Sequence, residues 1–257
     1  MNRIEELFSR KPNGILSVYF TAGYPGPGDT VPVIRELAAQ GVDMIEIGIP
    51  FSDPMADGPV IQNSGTVALR GGMSMRRLFG QLEGIRDRVD IPLVIMGYLN
   101  PIMQYGTEEF CRECSRLEMD GVIIPDLPFA DYMRDFKPLG EKYGIKFIML
   151  ITPETSEERI RLIDENTSGF IYMVSTASTT GTKERFDGRT LDYFRRIDGM
   201  GLRNPRLIGF GISNPETFAA AQANANGAIT GSEFIRLLGS EEDIPAAVSA
   251  LIRKFGA

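Results

Sequence analysis

The sequence predicts an α/β chain closed into one (β/α)8 barrel, the TIM-barrel architecture. Three observations predict it. Short runs of branched apolar residues recur with amphipathic segments between them, and the alternation continues to the end without a linker or a change of composition. Strand and helix alternating eight times imply parallel strands joined by crossovers, which close into a barrel. An open doubly wound sheet is the competing arrangement, but the G-x-G-x-x-G that usually follows its first strand is missing. The length of 257 residues fits a single barrel domain over 1–257 and, taken alone, fits two small domains as well.

In chain order the expected strands are Leu16–Thr21, Met44–Ile47, Pro92–Met96, Gly121–Ile124, Lys146–Leu150, Gly169–Val174, Arg206–Phe210 and Gly227–Ile229. Helical patterns occupy Thr30–Gln40, Thr107–Leu117, Tyr132–Tyr143, Ser156–Glu165, Thr190–Ile197, Pro215–Ala223 and Ile244–Phe255. An extra N-terminal helix and a short extra helix after strand eight, starting near Gly231-Ser232-Glu233-Phe234-Ile235, complete the expected fold.

Composition excludes several function classes. With 43% hydrophobic and 24% charged residues, and no apolar run near the ~20 residues of a membrane span, an ordinary globular chain is expected. The N-terminal stretch lacks an apolar core followed by a small-residue cleavage site, so the expected location is the cytoplasm. A net charge of −7 argues against a broad nucleic-acid surface. There is no histidine, which removes His-based triads and the usual zinc sites and leaves acid–base work near neutral pH to carboxylates, tyrosine, lysine or cysteine. The two cysteines, Cys111 and Cys114, form a C-x-x-C. A redox pair or half a metal site is one reading; two small core-facing side chains on one helix face is the simpler one.

In a barrel, functional groups sit at the C-terminal ends of strands and in the loops that follow. In strand two, alternation sends Ile45 and Ile47 to one face and Glu46 to the other. If the isoleucines meet the helical shell, Glu46 points into the barrel. There a desolvated carboxyl would hold a proton near neutrality. The alternative is that Glu46 pairs with a cation or faces solvent. The next loop, Pro50 to Pro59, adds Asp53 and Asp57, either functional acids or residues that close an Asx-turn or cap the following helix. Glycines converge late in the chain, at Thr179-Thr180-Gly181, Gly209-Phe210-Gly211 and Thr230-Gly231-Ser232. The loops after strands seven and eight are a frequent phosphate site, where main-chain N–H groups and a helix N-terminus supply a positive field without basic side chains.

The stretch Glu46-Ile47-Gly48-Ile49-Pro50-Phe51-Ser52-Asp53-Pro54-Met55-Ala56-Asp57-Gly58-Pro59-Val60-Ile61-Gln62 closely resembles the signature of tryptophan synthase alpha subunits. Phe20-Thr21-Ala22-Gly23-Tyr24-Pro25, Gly97-Tyr98-Leu99-Asn100-Pro101, Ile124-Pro125-Asp126-Leu127-Pro128 and Gly209-Phe210-Gly211-Ile212-Ser213 extend the likeness along the whole chain. The resemblance implies retro-aldol cleavage of indole-3-glycerol phosphate to indole and glyceraldehyde 3-phosphate, with no metal or organic cofactor in this subunit. By the same resemblance Glu46 is the acid–base that protonates the indole ring carbon and helps deprotonate the glycerol hydroxyl. Asp57 holds the indole N–H and stabilises the cationic indolenine.

The resemblance also implies an indole pocket of Tyr19, Met96, Tyr98, Tyr172 and Phe210, although for Tyr19, Met96 and Phe210 plain core packing reads the same way. It implies a phosphate cradle of Gly181, Gly211, Gly231 and Ser232, a loop-positioning acid at Asp126, and a substrate-side Thr180. Where the family often has Gly-Val-Thr-Gly, this chain has Ser178-Thr179-Thr180-Gly181, so a glycine hinge becomes serine. An α2β2 tetramer with a pyridoxal-phosphate beta subunit is implied, docked near Pro50, Asp53, Pro54, Asn100 and Pro101. Two other readings are a non-catalytic phosphate-binding barrel that activates a partner, and another phosphosugar barrel enzyme. Indole-glycerol-phosphate synthase would place lysines at several strand ends, which here are poor in lysine.

Overall fold

The computed structural model describes residues 2–175 and 185–256. Its strands are β1 (Ile15–Thr21), β2 (Met44–Gly48), β3 (Leu93–Met96), β4 (Gly121–Ile123), β5 (Lys146–Ile148), β6 (Leu150–Ile151), β7 (Ile171–Val174), β8 (Arg206–Gly209) and β9 (Gly227–Thr230). All pair in parallel, in the order β5-β4-β3-β2-β1-β9-β8-β7-β6. The two ends of that order, β5 and β6, are consecutive in sequence and separated only by Met149, so they are two halves of one stave and the sheet closes on itself as an eight-staved barrel.

The register confirms closure. Followed from Tyr19 on β1, it runs through Glu46, Val94 and Gly121 to Lys146; followed from Leu150, it runs through Tyr172, Leu207 and Gly227 back to Ile15. The circuit slips four residues between Ile15 and Tyr19 and four between Lys146 and Leu150, a stagger of eight, as expected for this barrel.

Two cores follow from the alternation of side chains along each strand. Outward residues such as Val18, Phe20, Ile45, Ile47, Ile95 and Ile208 pack against the surrounding helices. Inward residues, among them Ile15, Tyr19, Met44, Val94, Ile123, Tyr172, Leu207 and Ile229, fill the barrel. The N-terminal helix Arg3–Arg10 plugs one end with Ile4 and Leu7, and its Phe8 ring lies 6.1 Å from that of Phe170. Asn2 caps it with a capping box and donates from Nδ2 to Asp120 O at 2.9 Å. Asp120 is buried and accepts from Arg86, Arg3 and Leu93 N, so this end is tied by charge-assisted bonds.

Differences from the sequence reading have local causes. Two further helices, Pro59–Arg70 and Met75–Gln81, follow β2, and Leu99–Tyr105 precedes Thr107–Arg116, separated by Gly106 at φ +100°. The helical run from Phe129 to Tyr143 contains a π turn at Tyr132–Phe136. Strand β8 stops at Gly209 because Phe210 turns to φ +66°, which strand geometry does not admit. The extra helix after the last strand spans Ser232–Ser240 and the chain ends on Ile244–Phe255. Cys111 and Cys114 are buried in the outer core, and burial raises both thiols, Cys111 to about 12, so neither is a reactive thiolate. Among the described residues, no helix is long and apolar enough to cross a membrane.

Candidate active site

Glu46 sits mid-strand on β2 with Ile45 and Ile47 facing the helical shell, and it is completely buried in the barrel. Its Oε1 accepts from Ser17 Oγ at 2.9 Å, while its Oε2 is buried with no hydrogen-bond partner among the described residues. Among the described residues no cation pairs with it. Burial pushes its pKa from 4.5 up to about 8, against the smaller opposing pull of the Ser17 hydrogen bond, so the side chain is a neutral acid at pH 7.

Asp57 belongs to the loop between β2 and the helix Pro59–Arg70. That helix is capped by Gly58 with Pro59 in its first turn, so the Asp57 side chain is released from capping. The loop is pinned from several sides. Asp57 N donates to Pro54 O, Gln62 Nε2 donates to Asp57 O at 2.8 Å, and Thr21 and Ser64 share a 2.6 Å hydrogen bond that ties the helix to β1. Tyr98, just after β3, accepts from Ala56 N at 2.9 Å and donates to the Asp57 carboxylate. Burial raises Asp57 from 3.8 to about 6 and the Tyr98 bond restrains the rise. At pH 7 it is ionised, and two carboxyls of one site stand in different protonation states.

The phenols of Tyr19 and Tyr172 are both raised, chiefly by burial and further by the negative fields of Glu46 and Asp57. Both acids therefore lie close to these two buried rings. Gly48 and Gly209 make room for them: a Cβ there would fall 2.2 Å from Tyr19 Oη and 2.1 Å from Tyr172 Oη.

At the same barrel end, Gly231 stands at the head of the helix Ser232–Ser240, whose first turn has no side-chain cap, so its N–H groups are open to an anion. Phe210 and Gly211 follow in left-handed conformations, φ +66° and +74°. The unfavourable turn at Phe210 is held by Ser175 Oγ donating to its carbonyl at 2.7 Å, and its ring meets Tyr172 edge-on, 6.3 Å between centroids.

Met96 is half-buried on the interior side of β3. Asp126 is exposed, and its Oδ1 accepts from Leu99 N at 2.9 Å, which fixes the start of the helix bearing Asn100 and Pro101. Asp53 and Asn100 are exposed, Pro54 and Pro101 half-buried and Pro50 buried, so four of these five reach the surface. Thr180 and Gly181 lie outside the described residues.

Comparison with known proteins identifies the family. A model of the family described as Tryptophan synthase alpha chain matches residues 7–255. The chain belongs to the tryptophan synthase alpha chain family. It is 60% identical over 252 residues to the tryptophan synthase alpha chain of Parabacteroides distasonis, covering 98% of each chain. It is 61% identical over 251 residues to that of Bacteroides fragilis, covering 98% of this chain and 95% of the relative. Among solved structures, the tryptophan synthase subunit alpha of Legionella pneumophila superposes with a TM-score of 0.87 at 32% identity, covering 100% and 99% of the two chains. A tryptophan synthase chain of Mycobacterium tuberculosis superposes at 0.88 with 28% identity over 99% and 96%.

Two residues that shape this candidate site, Ser175 and Ser17, are not among those the sequence predicts for it. Ser175 directly follows the expected strand Gly169–Val174, a strand end where functional groups of a barrel gather. Ser17 sat unmarked in β1, although a small hydroxyl in an otherwise apolar inner row, in phase with Tyr19, was a usable signal.

Proposed function

We propose that this chain is a carbon–carbon lyase that cleaves indole-3-glycerol phosphate to indole and glyceraldehyde 3-phosphate, with Glu46 as acid–base and Asp57 as the fixed negative charge. The observation that carries this reading is the pair of unlike carboxyls beside the same two rings, Tyr19 and Tyr172: Glu46 neutral with an unpartnered Oε2, and Asp57 ionised and held by Tyr98.

Breaking the bond between the indole ring and the glycerol chain requires a proton at the ring carbon that bears the chain. Glu46 delivers it, leaving a cationic indolenine whose N–H is held by the Asp57 carboxylate. The Glu46 carboxylate then takes the proton of the adjacent glycerol hydroxyl. As that oxygen becomes the aldehyde, the carbon–carbon bond breaks and its electrons restore the indole ring. Glu46 ends protonated, so the net movement is one proton from hydroxyl to ring carbon. A proton donor and a fixed charge suffice, and both are side chains of this chain; pyridoxal phosphate is assigned to the beta partner.

Tyr19, Met96, Tyr172 and Phe210 wall the indole, and Tyr98 acts mainly by holding Asp57. Gly211, Gly231 and Ser232, with Gly181, cradle the phosphate. Indole passes to a beta subunit in an α2β2 assembly docked over Asp53, Pro54, Asn100 and Pro101, with Pro50 beneath. Met55 and Met103, 91% and 60% exposed, offer apolar surface in the same two segments. The expected location is the cytoplasm.

Indole release from indole-3-glycerol phosphate, measured for the chain alone and then with a beta subunit, tests the reading. Slow release alone and faster release with the partner is expected. Full activity in Glu46→Gln or Asp57→Asn would overturn it.

A further inference from the structure

Among the described residues the acid–base carboxyl has one hydrogen bond, and it comes from a hydroxyl that makes no other. Ser17 lies on β1 two residues before Tyr19, the register partner of Glu46. This diagonal across two parallel strands brings its hydroxyl to 2.9 Å from Glu46 Oε1 inside the barrel, where both side chains are fully buried. The neighbouring inward positions on the three strands, Ile15, Tyr19, Met44 and Val94, are apolar or aromatic, so packing alone does not call for a serine.

We propose that Ser17 is a positioning residue for Glu46, anchoring Oε1 so that Oε2 is the atom that carries and delivers the reacting proton. The inference deepens the lyase reading and rests on it. A neutral carboxyl has one carbonyl-type oxygen, which only accepts, and one hydroxyl oxygen, which donates. The Ser17 hydroxyl donates to Oε1 and so marks Oε1 as the carbonyl oxygen, which puts the acid proton on Oε2, the buried atom without a partner. In the reverse arrangement the Ser17 hydrogen would be buried unsatisfied as well, which costs more.

The bond also stops the broad rotation that a terminal carboxyl otherwise has, so proton delivery starts from one geometry. After transfer, the same hydroxyl faces a carboxylate and its bond strengthens. Its effect on Glu46 is downward, against the larger upward effect of burial. Ser17 thus keeps a buried acid able to give its proton up near neutral pH.

The test is kcat and KM against pH for wild type, Ser17→Ala, Ser17→Cys and Ser17→Thr, with Glu46→Gln as control. For Ser17→Ala the alkaline limb moves up by roughly one pH unit and kcat at pH 7 falls roughly tenfold, with KM nearly constant. Ser17→Cys, close in shape but a weak donor, behaves like alanine, and Ser17→Thr restores both parameters. In the infrared, the carbonyl band of the protonated carboxyl, identified by its loss in Glu46→Gln, moves to higher frequency in Ser17→Ala.

A wild-type alkaline limb and an unmoved band in Ser17→Ala overturn the proposal, as does a change in KM alone or a failure of threonine to rescue. An active Glu46→Gln sinks the lyase reading itself. An inactive Glu46→Gln beside a wild-type-like Ser17→Ala sinks only the role of Ser17.

Discussion

Replacing Glu46 by glutamine keeps the shape of the side chain and removes its titration, and the consequence for stability can be worked out from burial. In the folded protein Glu46 titrates at about 8, against an ordinary 4.5. Between these values the folded state keeps a proton that the unfolded chain has lost, so the stabilising contribution is complete below 4.5 and is lost as pH rises through 8. Across that window the wild type loses about 1.4 kcal/mol per pH unit relative to Glu46→Gln, about 5 kcal/mol in all. The amide carries two N–H donors where the acid carries one O–H, so one more buried donor is left without a partner, a fixed cost of about 1–3 kcal/mol at every pH. The variant is therefore less stable than wild type at pH 4.5 and more stable at pH 9, and the two curves cross near neutrality or below. Asp57 titrates in both proteins and largely cancels. Urea unfolding followed by circular dichroism at five values between pH 5 and 9 gives the two curves. A difference that does not vary with pH would refute the buried neutral acid and the proton donor built on it.

Further outcomes are expected. Asp57→Asn lowers kcat by about a hundredfold or more in the indole-release assay while far-ultraviolet circular dichroism is unchanged, because the fixed charge is lost and the fold is not; loss of secondary structure would point to a scaffold role instead. The pH profile of kcat/KM falls above about 8 as Glu46 ionises in the free enzyme, and a profile flat to pH 10 contradicts the assignment. Gly209→Ala sets a Cβ 2.1 Å from Tyr172 Oη, displaces that ring and costs about 1–3 kcal/mol, seen as a lower urea midpoint and a higher KM. Asp120→Asn, at the opposite end of the barrel, leaves the Arg86 guanidinium without its buried partner and costs about 3–5 kcal/mol, with kcat at 25 °C unchanged if that end serves only stability.

The barrel was largely legible in the sequence because its determinants are local. Period-2 apolar runs bury both faces of each strand, and the residues between them have one apolar stripe, so eight repetitions leave few ways to pair. The same alternation put Glu46 opposite Ile45 and Ile47. It could not say which face was the interior, because that depends on the closed register from Tyr19 around to Ile15. Helices Pro59–Arg70 and Leu99–Tyr105 were less legible because proline and glycine begin or bound them.

Sequence by itself determined the chemical inventory: no histidine, carboxyls at strand two and its loop, and glycines at the ends of strands seven and eight. Tertiary structure alone decided their states. Glu46 is a neutral acid because burial strips its hydration and, among the described residues, only Ser17 hydrogen-bonds to it. Asp57 keeps its charge at pH 7 because burial raises it only to about 6, with Tyr98, remote in sequence, pulling against the rise. A proton's free energy depends on the solvent and dipoles around it, and those are assembled only when distant strands meet.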